Sequence, residues 1–117
     1  MTEPPAVLEV DRLSHDGQVV LALRGELDND TLAVAQDQVS AAEADAPPVL
    51  VLDLSGLEYV GSCGVRLVLL AQHGADAANR RLAVRLGRGQ TRRMFDILGL
   101  TTRLEVLDRD DTGGTAT

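Results

Sequence analysis

The stretch VLVLDLSGLEYVGSCGVRLVLL, residues 49–70, constrains this chain more than any other. Val49 to Leu54 is short, nearly all apolar and partly β-branched, which suits a strand buried on both faces and is too short for a helix. From Val65 the period changes. Val65, Leu69 and His73, with Leu70 and Ala71 beside them, fit helical spacing better than alternation. Between the two patterns lies Gly61-Ser62-Cys63-Gly64. Four small residues add little core volume, so this turn is expected to keep a helix N-terminus open to something outside the chain. Two roles are open to Ser62. As an N-cap its hydroxyl would accept a backbone N–H, worth about 1 kcal/mol. As a phosphorylation site it would bring about −1.5 to −2 charges to the positive end of a helix dipole, which the fold tolerates and a partner pressed against the same spot does not.

Composition narrows the function classes. A chain of 117 residues with 44% apolar and 25% charged residues is expected to be one soluble globular domain. One Phe and one Tyr leave the core to aliphatic side chains and exclude an aromatic stacking surface for single-stranded nucleic acid. The net charge of −7 argues against nucleic acid and anionic membranes, and favours a partner with a basic docking face. A single cysteine allows no internal disulfide and no cysteine metal cluster, which suits a reducing cytosol. Without a signal-peptide pattern or a span of about 20 apolar residues, the expected location is cytoplasmic.

In chain order, residues 1–6 read as a flexible lead-in containing Pro4-Pro5. Val7 to Leu13 and Gln18 to Arg24 alternate, with Val19, Leu21 and Leu23 on one side, and the Asp16-Gly17 between them predicts a β-hairpin. His15 is then a turn residue, and neither it nor His73 has metal-ligand spacing, so no metal is expected. Gly25-Glu26-Leu27-Asp28 ends the second strand. Asp30 or Thr31 can cap a helix running to about Ala44, with Leu32, Ala35 and Val39 inward. Ala46-Pro47-Pro48 breaks the chain before the central strand. Asn79 is a plausible terminator for the helix that follows Ser62. Leu82 to Leu86 reads as a strand, and Gly87-Arg88-Gly89 lacks the partners of a phosphate-binding loop. Gln90 to Leu98 fits a helix with Met94, Phe95, Ile97 and Leu98 apolar and Gly99 as its stop, and Leu104 to Leu107 a last strand. Arg92 and Arg93 read as a solvated face. Residues 108–117 are polar and glycine-rich and read as a disordered tail. The order of elements implies an α/β (α+β) fold, a mixed four- to five-stranded sheet covered by about four helices.

Asp53-Leu54-Ser55, Tyr59, Ser62 and Gly64, in the order and spacing of DLSGLEYVGSCGVRLVLL, resemble the signature of the STAS domain of bacterial anti-sigma-factor antagonists. Gly25-Glu26-Leu27-Asp28 and the run Thr91 to Leu100 resemble two further patches of that family, so the likeness spans residues 7–107. The family pattern has an acidic residue where this chain has Gly61, and a small hydroxyl or alanine where it has Cys63. The resemblance implies a single STAS-type domain that is no enzyme and uses no cofactor. It also implies that Ser62 aligns with the serine phosphorylated by an anti-sigma factor that is itself a serine kinase, with a serine phosphatase reversing the step. Unmodified protein would bind the anti-sigma factor and free a sigma factor, as a monomer or weak dimer. The partner-binding residues so implied are Glu26, Asp28, Asn29, Tyr59, Gly61, Ser62, Cys63, Gly64 and Arg66. The alternative is a STAS binding or scaffold module that is not phosphorylated, to which Gly61 points. A signalling receiver using Asp53 would need an acidic pair and a lysine, and the chain has no lysine. For catalysis, Cys63 has no sequence-near base.

Overall fold

A computed structural model of the chain describes residues 7–108; the expected lead-in and residues 109–117 of the expected tail lie outside that range. Asp16 and Gly17 both take left-handed backbone, φ 52° and 78°, the combination of a two-residue type I′ turn. They join β1 (Leu8–His15) to β2 (Gln18–Leu27), antiparallel from Leu8 opposite Gly25 to His15 opposite Gln18. The hairpin read from Asp-Gly is therefore present. Helix α1 (Leu32–Ala44), strand β3 (Val49–Val60), helix α2 (Ser62–Ala77), strand β4 (Arg81–Arg85) and helix α3 (Gln90–Ile97) follow. The sheet order is β1-β2-β3-β4, with β2, β3 and β4 parallel. Parallel neighbours need crossovers, and α1 and α2 supply them.

One aliphatic core joins the helices to one face of the sheet. Val19, Leu21 and Leu23 of β2, Leu50, Leu52 and Leu54 of β3, and Leu82, Val84 and Leu86 on and just after β4 share a cluster with Ala35 and Val39 of α1, Leu67 and Val68 of α2, and Phe95 of α3. Alternation puts Val51 and Ala83 on the opposite face of the sheet, where both are buried but outside that cluster.

Several expectations change. The central strand does not end at Leu54. It continues to Val60 and pairs with the end of β2: Gly25 lies beside Leu57 after a register shift between Ala22 and Arg24, and Leu27 beside Val60 after a second between Gly25 and Glu26. Leu104 to Leu107 form a single parallel bridge, Val106 to Val84, rather than a strand. Helices number three among the described residues, not four. In α2 the inward stripe is Gly64, Leu67, Val68, Ala71 and Ala75, rotated from the expected one; Leu69 and His73 face solvent and Val65 is half-buried. This helix carries more leucines than its inward stripe uses, and its small residues mark the side that approaches the sheet. In α3, Phe95 and Thr91 point inward while Ile97 is 78% exposed and Leu98 54%.

Asn79 does terminate α2. At φ 57° it sits just past the helix, with its N–H on the Asp76 carbonyl and the Arg80 N–H on that of Ala75, a Schellman arrangement. Gly99, at φ 73°, ends α3 in the same way. Beyond α3, Asp108 is held in place: its carboxylate accepts the Leu86 and Gly87 N–H groups at 3.0 and 2.7 Å, and its carbonyl accepts Arg92 at 2.7 Å. Arg92 is thus an internal tie and not a solvated side chain.

Candidate functional site

The site lies at the end of the sheet where the chain leaves β2 and β3. Because β3 runs on to Val60, the segment after β2 and the start of α2 become neighbours, and the Gly61 N–H donates to the Leu27 carbonyl at 2.9 Å. This brings the predicted Glu26, Asp28 and Asn29 to the same end of the molecule as Tyr59 to Gly64. Glu26 lies opposite Tyr59 in the strand register. Arg66 follows one turn along α2. His15 is elsewhere, beside Asp16 in the hairpin turn.

Close packing fixes α2 against the strands. A Cβ on Gly64 would lie 2.3 Å from Val60 Cγ2 and 2.9 Å from Leu27 Cδ2, so only glycine lets the first turn settle there. At Gly61 a Cβ would meet the Tyr59 hydroxyl at 3.5 Å and its Cε2 at 3.7 Å. The phenol therefore rests over the position that an acidic side chain occupies in the family pattern.

Ser62 does not cap the helix. The N-cap is Gly61, with no side-chain capping bond, and Ser62 is the first helical residue. Its hydroxyl is exposed and makes no hydrogen bond among the described residues. The capping role open to it in the sequence is not used. Cys63 is a half-buried free thiol and Arg66 is exposed.

The neighbouring turn is held by Thr31, whose part the sequence indicated only as a cap. Its buried hydroxyl donates to the Glu26 carbonyl at 2.8 Å and accepts the Asp28 N–H at 3.0 Å, and it makes no capping bond to α1. The Asp28 carboxylate accepts the N–H groups of Asp30 and Thr31 at 2.9 and 3.1 Å. Part of Asp28 is thus spent on the shape of its own turn, an Asx-type arrangement, while Glu26 and the exposed Asn29 make no such side-chain bond among the described residues. Asp53 is likewise local: it accepts the Ser55 N–H at 3.0 Å and its hydroxyl at 2.6 Å, where β3 loses its regular register with β2.

The arrangement is a surface that carries two hydroxyls without hydrogen bonds among the described residues, those of Ser62 and Tyr59, together with carboxylates and an arginine. Among the described residues no base is hydrogen-bonded to the Ser62 hydroxyl.

Comparison with known proteins agrees with this geometry. The family model described as Mlab, STAS domain matches residues 11–108. The chain belongs to the STAS family. Among curated relatives, the anti-sigma-F factor antagonist RsfB of Mycobacterium tuberculosis is 32% identical over 96 residues, 82% of this chain and 78% of RsfB. The crystal structure of an anti-sigma factor antagonist from Mycobacterium paratuberculosis superposes with a TM-score of 0.82 at 29% identity, covering 98% of this chain and 97% of that one. The antagonist SpoIIAA in its unphosphorylated form has a TM-score of 0.70 at 21% identity over 91% and 92% of the two chains, and so shares the fold. This STAS chain thus has the expected layered fold, with the Ser62 turn, the Glu26–Asn29 segment and Tyr59 gathered at one end.

Proposed function

We propose that this STAS chain is an anti-sigma-factor antagonist: unmodified, it binds an anti-sigma serine kinase through the surface around Ser62 and so frees a sigma factor, in the cytoplasm, as a monomer or weak dimer. The observation that carries this reading is the Ser62 hydroxyl, exposed and without an intramolecular partner among the described residues. RsfB, at 32% identity, is named an anti-sigma-F factor antagonist, which supports it. In the off step the Ser62 oxygen attacks the γ-phosphorus of ATP on the kinase, the bond to ADP breaks and the hydroxyl proton passes to a base of the kinase. A phosphatase returns serine and inorganic phosphate by attack of water. The fold need not change, because a dianion in a desolvated interface costs binding wherever the partner offers no matching cations.

Intact-mass analysis after incubation with ATP, magnesium and the anti-sigma kinases of the same cell tests the step. The expected result is one added phosphate that is lost in Ser62→Ala. A second reading, a binding module that is never phosphorylated, is favoured by Gly61: the first turn of α2 has no acidic residue. Retained binding to a kinase with no added phosphate would support that reading instead.

A further inference from the structure

Ser62 and Arg66 are four residues apart on α2, and Arg66 is the one arginine of that helix. Residues at this spacing are neighbours, with Cβ atoms about 5–6 Å apart. Helical side chains lean toward the N-terminus, so an arginine at position 66 can reach back over the turn that holds Ser62. Neither group is engaged. Like Arg85, Arg88, Arg93 and Arg103, Arg66 makes no side-chain hydrogen bond or ion pair among the described residues, and neither does the Ser62 hydroxyl; Arg66 is the one of these within a helical turn of Ser62. The first turn of α2 contains no acidic residue that could draw Arg66 away. From β3 the Tyr59 phenol stands over Gly61, adding a polar group beside the same spot. The charged residues of the neighbouring strands and turn are Glu26, opposite Tyr59, Asp28, whose carboxylate already accepts two backbone N–H groups, and the exposed Asp30 and Glu58.

We propose that Arg66 is the intramolecular counter-ion of a phosphate on Ser62. This deepens the antagonist reading, and rests on it for the identity of the modified residue. An anion at i with a cation at i+4 is the favourable orientation on a helix, and a guanidinium can take two phosphate oxygens at once. Phosphorylation then changes the partner-facing surface twice, adding an anion and drawing Arg66 back onto it. A chain with a carboxylate in place of Gly61 would offer Arg66 a competing anion; this one does not.

The test uses the full chain with phosphoserine encoded at position 62 during synthesis, so that no kinase is needed, in three forms: Arg66, Arg66→Lys and Arg66→Gln. Phosphorus-31 chemical shifts are followed against pH. The second phosphate ionisation, near pH 6 in free phosphoserine, should fall about 0.15–0.4 unit lower with Arg66 than with Gln, and Lys should give an intermediate value. The difference should shrink in 1 M salt. Equal midpoints for the Arg and Gln forms would overturn the proposal. Because Arg66 is exposed, all three forms should fold alike, which thermal melts check. A failure of the cell's kinases to modify Ser62 would count against the antagonist switch and leave this titration unaffected, so the two failures are distinguishable.

Discussion

At the scale of single residues, Gly64 sets where Ser62 sits. Replacing it with alanine would help an isolated helix by up to about 1 kcal/mol, but here the new methyl collides with Val60 and Leu27. Overpacking of this kind costs about 1–3 kcal/mol, so Gly64→Ala should be net destabilising by about 1 kcal/mol in urea unfolding, and it should also weaken partner binding by shifting the first turn. An unchanged midpoint would mean that α2 can move away from the sheet at no cost. Glu105 makes a second residue-level prediction. Hydrogen bonds from Arg81, in a side-on pair, hold its carboxyl below the ordinary glutamate value of 4.5. A lowered folded-state value means stability that is present above about pH 4.5 and lost as pH falls through the folded value. The pair is largely exposed, so the effect is small. Acid unfolding of Glu105→Gln should lack part of the loss that the parent shows below that pH. Ser62 and its setting were largely legible in sequence, because four small residues between a strand pattern and a helix pattern leave few alternatives. Its hydroxyl's lack of a capping role was not legible: which residue becomes N-cap depends on the Gly61 N–H being taken by Leu27, a contact between distant segments.

At the scale of elements, turn chemistry proved more readable than burial. Asp16-Gly17, Asn79 and Gly99 each adopt the left-handed backbone that their residue types favour, and each turn or helix stop falls where the sequence placed it. The inward faces of α2 and α3 were harder, since both helices carry apolar residues on more than one side. In α3 the consequence is testable. Phe95 is fully buried in the core, so Phe95→Ala should cost about 3–5 kcal/mol. Ile97→Lys, on the exposed side, should stay within about 0.5 kcal/mol in the same denaturation experiment. A large loss for Ile97→Lys would mean that this face is covered in solution. The extension of β3 was not legible either. Its second half, Ser55 to Tyr59, does not alternate cleanly, and it pairs through backbone bonds with β2 after two register shifts, a dependence on the partner strand that local pattern cannot report.

At the scale of the whole molecule, the three helices among the described residues share one core with a four-stranded sheet, and the end of that sheet presents the Ser62 turn, Tyr59 and the segment Glu26 to Asn29 together. Nothing in that arrangement has to refold for a phosphate to change what binds there, so phosphorylation should switch the surface and not the structure. The most direct measurement is the affinity of the cognate anti-sigma factor for the unmodified chain and for the chain with phosphoserine encoded at position 62, by calorimetry under identical salt. Tight binding is expected for the unmodified protein, with a loss of at least about a hundredfold, roughly 2.7 kcal/mol, on phosphorylation and with both forms melting at similar temperatures. Equal affinities for the two forms would contradict it.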